Sequence, residues 1–232
     1  MPHPLDNPAL FALQGPQASL GQRKGRAWRY HPDVCPFYGM PDDPGAADWA
    51  DAAALAGPGS RLTLAATWTA FPAGWEVVFA AEGVQMVAGD ALGARPPDPA
   101  GGVTELGAGD YPEMAALVER TRPGPFCPRT PEMGAYFGIR REGALVAMAG
   151  ERLRPPGLTE ISAVCTDDAW RGHGLASILT HAVAARIRSR GEVPFLHALA
   201  ANTTAIGLYE HLGFTRRRTV MFRSAIVPAA LP

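Results

Sequence analysis

Neither sign of charge prevails in this chain, its cysteines form no pattern, and no long apolar run interrupts it. Lysine and arginine number 21 against 22 for aspartate and glutamate, a formal net charge of −1. That balance argues against a sequence-independent nucleic-acid binder, which needs a basic surplus to displace counterions. The local run Arg216-Arg217-Arg218 reads as a solvated strand end. Only three cysteines occur, Cys35, Cys127 and Cys165, an odd and widely spaced set. They suggest neither a disulfide framework nor a metal site, and they fit a reducing, cytoplasmic compartment. No segment approaches the ~20 apolar residues of a spanning helix, so no membrane association is expected. The opening Met1-Pro2-His3-Pro4 has no apolar core behind a basic start, so no signal peptide is expected either.

What the chain does have is length, turns and apolar runs. Its 232 residues suffice to bury a core. The densest concentration of proline and glycine is Gly93–Gly102, which disfavours helix and strand alike. It predicts a linker at 96–102 between a smaller α+β domain at 1–95 and a larger domain at 103–232. In the first, Asp48 heads a short helix to Leu55, and strands are expected at Arg61–Thr69, Trp75–Ala80 and Val84–Val87. His31 stands alone in a loop and reads as structural. No catalytic constellation appears there.

The second part has clearer periodicity. Val103–Leu106 reads as a strand. Asp110 and Glu113 form a capping box ahead of a helix with Met114, Leu117 and Val118 on one face. Tyr136–Arg140 and Ala144–Leu153 make a hairpin around Glu142-Gly143, and Leu158–Thr166 follows as a third strand. Leu175, Ile178, Leu179, Ala182, Val183 and Ile187 recur at helical spacing. Pro194–Ala200 is a buried-type strand. Asn202 caps a helix that carries Ile206, Tyr209 and Leu212, and a last strand lies near Arg217–Phe222. The order predicts a mixed sheet with flanking helices.

Between the third strand and the long helix stands Arg171-Gly172-His173-Gly174-Leu175-Ala176. Glycines let the backbone turn tightly beside a ligand. The first amides of the next helix lack internal partners and lie at the positive end of its dipole, which makes an anion site. A P-loop would need Gly-Lys-Ser/Thr here, and the dinucleotide fingerprint a further glycine where Ser177 stands; both are missing.

This segment, with Glu160–Thr166 before it, resembles the central motif of the GNAT superfamily of acyl-CoA-dependent N-acyltransferases. Arg171, Gly174 and Ala176 match its Arg/Gln-x-x-Gly-x-Gly/Ala loop. Asn202 through Tyr209 to Leu212-Gly213-Phe214 resembles the family's second hallmark. The likeness covers roughly Val103 to Val227, and within the superfamily it points to the glycine N-acyltransferase-like branch. It implies an α/β GNAT fold with acetyl-CoA or another acyl-CoA as co-substrate, no metal, and a small-molecule amine as acceptor. A protein N-terminus or lysine as acceptor, and a non-catalytic acyl-CoA sensor, remain as alternatives. Monomer and homodimer are both open.

The resemblance also implies roles for individual residues. Amides of Gly172, His173, Gly174, Leu175, Ala176 and Ser177, with Arg171, would take the diphosphate. The backbone of Val164, Cys165 and Thr166 would pair with the pantetheine arm, and Asn202 would orient its amide or cap a helix. Tyr209 would protonate the departing thiolate. Glu160 would serve as base, its pKa raised by partial burial. Arg122, Phe126, Arg129 and Tyr136 would shape the acceptor site, an arginine holding a carboxylate. Cys165 lacks an activating histidine, so direct attack in a ternary complex is expected over an acyl-cysteine. Only about 18 residues follow Phe214, too few for the family's usual two strands. The last strand is therefore missing, shortened or supplied by the N-terminal part, which in that branch resembles a degenerate copy of the fold.

Overall fold

A computed structural model describes residues 3–66, 70–90, 92 and 102–229. The expected linker lies outside the described residues except for Gly102, as does the end of the strand expected to reach Thr69.

The first residues build more than their composition suggested. Helix α1 (Pro8–Leu13) leads to a three-stranded antiparallel sheet of β1 (Gly21–Lys24), β2 (Ala27–Tyr30) and β3 (Tyr38–Gly39), followed by α2 (Ala46–Ala56). Strands this short cannot register a two-residue period in a sequence. Helix α2 starts earlier than expected because Gly45 is its cap. The Asp48 carboxylate folds back to accept the Gly45 N–H at 2.8 Å and also binds Arg26.

The main sheet comprises β4 (Arg61–Ala66), β5 (Glu76–Ala88), β6 (Val103–Leu106), β7 (Tyr136–Arg141), β8 (Ala144–Glu151), β9 (Leu158–Thr166), β10 (Val193–Leu199) and β11 (Phe214–Ile226). Its order is β4-β11-β5-β10-β9-β8-β7-β6. Neighbours are antiparallel except β9 and β10, which run parallel. The strand missing from the end of the chain is therefore supplied from its beginning: β5 lies between β10 and β11, and β4 covers the far edge of β11. The sheet is continuous across the expected 96–102 boundary.

Two expected strands, Trp75–Ala80 and Val84–Val87, merge into β5. Glu82-Gly83, between the two expected strands, lies within it. Gly83 is needed for close approach, since a methyl there would come 2.4 Å from the Phe222 ring on β11.

Helices α4 (Leu175–Arg188) and α5 (Thr203–His211) cover one face. Leu179, Val183 and Ile187 pack there on Ile139, Val146, Ile161 and Leu196. Helix α3 (Tyr111–Thr121) packs Met114 and Leu117 against Met148 and Cys165 on the other face. Beside it the N-terminal unit sets Leu13, Tyr30 and Phe37 against Leu153, Leu158 and Phe195. The capping box expected at Asp110 does not close on α3. A 3-10 turn precedes the helix, and the Asp110 carboxylate accepts from the Gly107 N–H at 2.8 Å and from Arg140 at 2.6 Å instead.

Candidate active site

Strands β9 and β10 pair only over Leu158–Glu160 and Val193–Phe195. Beyond Glu160 and Phe195 they part, while β9 runs on to Thr166 and β10 to Leu199. One edge of β9 from Ile161 onward thus has no ladder partner. On its other edge, the register with β8 slips between Met148–Cys165 and Gly150–Ser162. The extra residue is accommodated with Ala163 at φ 52°, a left-handed conformation rare for a residue with a side chain. The result is a fork in the sheet with a bulge on one prong.

The loop from Trp170 to Gly174 closes the open end of that prong. Gly172 and Gly174 have φ of 82° and 72°, and added Cβ atoms at either would meet nothing within 4 Å. Gly174 is the N-cap of α4 and makes no side-chain cap, so the opening amides of a 14-residue helix face outward over exposed glycines. The His173 side chain braces the loop: its Nδ1 lies 3.0 Å from the Arg171 carbonyl and 3.2 Å from that of Trp170, so it donates. Arg171 pairs with Asp168 at 2.7 Å on the surface. The Leu175 side chain is buried, which leaves only its backbone for a ligand.

Around the fork, Val164 packs towards α4 while Cys165 points into the α3 core. Burial pushes the Cys165 thiol up to about 11, against a smaller opposing pull from Thr121, so it is protonated and weakly nucleophilic at neutral pH. The Thr166 Oγ1 is buried without a hydrogen-bond partner. Burial raises the phenol of Tyr209, on α5, to about 12, with a smaller electrostatic contribution from Cys165. Its ring meets Phe214 edge-on at 5.8 Å. Asn202 caps α5, accepting the Ala205 N–H at 3.1 Å.

Glu160 departs from expectation. Its side chain is fully buried at the last paired position of the fork. Oε2 accepts from Arg152 Nε at 2.9 Å and the Leu153 N–H at 3.3 Å; Oε1 accepts from Arg152 Nη2 at 2.8 Å and His197 Nδ1 at 2.7 Å. Burial alone would raise its pKa, but the Arg152 charge and hydrogen bonds, with His197, outweigh it and hold the carboxyl well below its usual range. The raised pKa expected of a base is reversed. Four donors also leave the carboxylate no free lone pair for a substrate proton.

The acceptor-side residues sort by burial. Arg122 ends α3 at φ 47°, exposed and without an ion pair among the described residues. The Arg129 fork is occupied by Glu132 at 2.6 and 2.8 Å, so a carboxylate ligand would have to displace that pair. Phe126 is half-buried and meets Tyr136 edge-on at 5.9 Å. Tyr136 is 2% exposed, which places its ring in the core beneath the loop rather than on a pocket wall, and its hydroxyl is unpartnered. The loop is fastened to the N-terminal unit: the Arg129 N–H donates to the Asp33 carbonyl and Thr130 Oγ1 to the Val34 carbonyl, each at 2.7 Å.

Comparison with known proteins decides the family. A crystal structure from Novosphingobium aromaticivorans, assigned to the GNAT acetyltransferases, is 40% identical to this chain, covers 97% of it and 98% of itself, and superposes with a TM-score of 0.88. The chain belongs to the GNAT family. The FR47-like protein family model matches residues 136–223. A GNAT structure from Kribbella flavida, 19% identical over 94% of this chain and 95% of its own, shares the fold at a TM-score of 0.59. Two curated relatives are mycothiol acetyltransferases. That of Thermobispora bispora is 38% identical over 96 residues, 38% of this chain and 32% of the relative. That of Thermomonospora curvata is 31% identical over 118 residues, 50% of this chain and 39% of the relative. The chain thus spans well under half the length of these curated relatives.

Tyr209 shares one apolar cluster with Leu175 at the start of α4 and with Val164 on β9. Arg152, His197 and Gln85 carried no sequence signal, because each becomes notable only when the sheet order brings it beside Glu160. Among the described residues no cluster of histidine, cysteine or acidic side chains could hold a metal ion, and no helix is long and apolar enough to cross a membrane.

Proposed function

We propose that this chain transfers an acetyl group from acetyl-CoA to the primary amine of a small molecule, by direct attack with both bound. The observation that carries the reading is the fork after Glu160 and Phe195, with open helix amides at its mouth. The residues present fit the co-substrate: open space over Gly172 and Gly174 leaves room for a diphosphate, and the lone buried Thr166 Oγ1 lacks the partner that a pantetheine amide would provide. Bound acetyl-CoA supplies an activated thioester.

The protein's part is placement and proton control. Amides from Gly172 to Ser177 hold the diphosphate, and the unpaired edge of β9 from Val164 to Thr166 aligns the arm. The bulge at Ala163 offers backbone N–H groups to a developing oxyanion. Tyr209 stays protonated throughout the physiological range. Its raised pKa lies above the ~8.5 of an ordinary thiol, so outright transfer of its proton to a thiolate is uphill. It therefore acts as a hydrogen-bond donor to the sulfur and passes its proton on only as the attacking amine replaces it. The amine enters neutral, its proton lost to water, because Glu160 is not available.

The curated relatives are named for a small molecule, which favours such an acceptor over a protein N-terminus or lysine. Arg122, without an ion pair among the described residues, suits an acceptor that bears a carboxylate, as the glycine N-acyltransferase-like branch would require. Cytoplasmic residence fits three free cysteines.

The test is thermal stabilisation by acetyl-CoA and CoA, followed by thiol release across a panel of amines. Tyr209→Phe should lower kcat by about 10- to 100-fold with CoA affinity within about twofold of wild type. An unaltered kcat removes the donor role. Stabilisation by CoA with no thiol release from any amine would return the chain to a non-catalytic sensor.

A further inference from the structure

Glu160 is joined to a file of polar side chains that crosses the sheet where the fork begins. Asp6 accepts from Arg217 at 2.6 Å, Arg217 donates to Gln85 Oε1 at 2.9 Å, and Gln85 Nε2 lies 3.1 Å from His197 Nε2. His197 Nδ1 then reaches Glu160 at 2.7 Å, and Arg152 grips the carboxylate from the β8 side. The file runs through β11, β5, β10 and β9 to the extension of β8.

The directions of these bonds are fixed by their partners. Gln85 Oε1 is held by Arg217, and its Nε2 also donates to the Leu5 carbonyl at 2.8 Å, so the amide cannot flip without losing both. His197 Nε2 must therefore accept and Nδ1 must donate to Glu160. Both ring nitrogens are thus engaged, and the side chain is 3% exposed. The ring is wedged edge-on between Phe195 at 5.7 Å and Phe222 at 5.8 Å. Neither Glu160 nor His197 has a free site for a substrate proton.

What the pair does have is position. Glu160 is the last residue of β9 paired to β10, and His197 stands two residues past the last paired residue of β10. Their bond ties the two prongs together just where pairing ends. The closed side of the fork is fixed separately by Glu192, which accepts from Arg154 and Arg190.

We infer that Glu160, acting through His197, is a positioning residue that sets the opening of the β9–β10 fork and so the seat of the pantetheine arm. The inference rests on the proposed placement of acetyl-CoA in the fork. Among the described residues the charged and titratable groups facing the pair are Arg152, Tyr30, Cys35 and Tyr136, all buried, and the partly exposed Arg217 and Asp6 reach it only through Gln85.

Two variants test it in the full chain. His197→Phe keeps a ring between Phe195 and Phe222 but removes the donor to Glu160. His197→Asn retains a donor at the Nδ1 position. The CoA dissociation constant, read by calorimetric titration, should rise about tenfold in His197→Phe and return to within about threefold of wild type in His197→Asn. The kcat for thiol release should fall by no more than about threefold, with the shape of its pH profile unchanged. If His197→Phe does not fold, Gln85→Leu, which frees the far side of the ring, should give a smaller rise in the same constant. A kcat loss of about 100-fold with the acid limb of the pH profile gone and CoA affinity intact would overturn the inference and make the pair a proton relay. Equal CoA affinity in all these chains would overturn it too. Failure of the wild-type chain to bind CoA would instead bring down the proposed function, and this inference with it.

Discussion

Gly174→Glu should abolish acetyl-CoA binding, lowering affinity by about 100-fold or more, in a chain that still folds. Gly174 lies at φ 72° with open space where a side chain would go, so the new side chain would clash with no neighbouring residue. The left-handed conformation costs a residue with a Cβ roughly 1–2 kcal/mol. A carboxylate at a helix N-terminus recovers part of that cost through the dipole. The same carboxylate, however, occupies the place proposed for the diphosphate and repels it. Calorimetric titration with CoA, beside a melting curve, checks both halves. Wild-type affinity in the variant would mean the diphosphate binds elsewhere.

Arg152→Met should cost about 3–5 kcal/mol of stability, because it strands the buried Glu160 carboxylate without its cation. Adding Glu160→Met should restore most of the loss, since an apolar pair of similar volume often matches a buried ion pair. Denaturant unfolding of the two variants and the parent measures this. The sign with pH follows from the depressed pKa of Glu160. The stabilisation is fully present above about 4.5, the ordinary value, and is lost as pH falls towards the folded-state value. The parent should therefore lose stability on acidification more steeply than the double variant. Parallel acid profiles would contradict the pair's contribution.

The second half of the chain was legible because its periods are long and its punctuation strong. The 14-residue α4 buries Leu175, Leu179, Val183 and Ile187 as its spacing implied, and β9 has the bounds read from its sequence. Glycines at 172 and 174 and the apolar face of α5 announced the loop and the helix that bears Tyr209. The first half was hard to read for physical reasons. The strands of its small three-stranded sheet have four residues or fewer, and β5 is exposed at one end and buried at the other, so no single alternation runs along it. That β5 would lie beside β10 is a matter of long-range pairing, invisible to local pattern. The environment of Glu160 was illegible for the same reason: a glutamate at a strand end has one meaning when alone and another when an arginine eight residues before it and a histidine from the next strand close on it. The bulge at Ala163 left no trace either, since alanine is not a residue that signals a left-handed turn.

The position of acetyl-CoA in a crystal structure of its complex with the full chain is the decisive measurement. Diphosphate oxygens should lie within hydrogen-bond distance of amides between Gly172 and Ser177, the pantetheine arm beside Val164–Thr166, and the thioester near Ala163 and the Tyr209 hydroxyl. Coenzyme in the cavity of ≈ 320 Å³ lined by Glu82, Thr203, Ile206 and Arg216–Thr219, with the β9–β10 fork filled by the protein's own side chains, would contradict this placement.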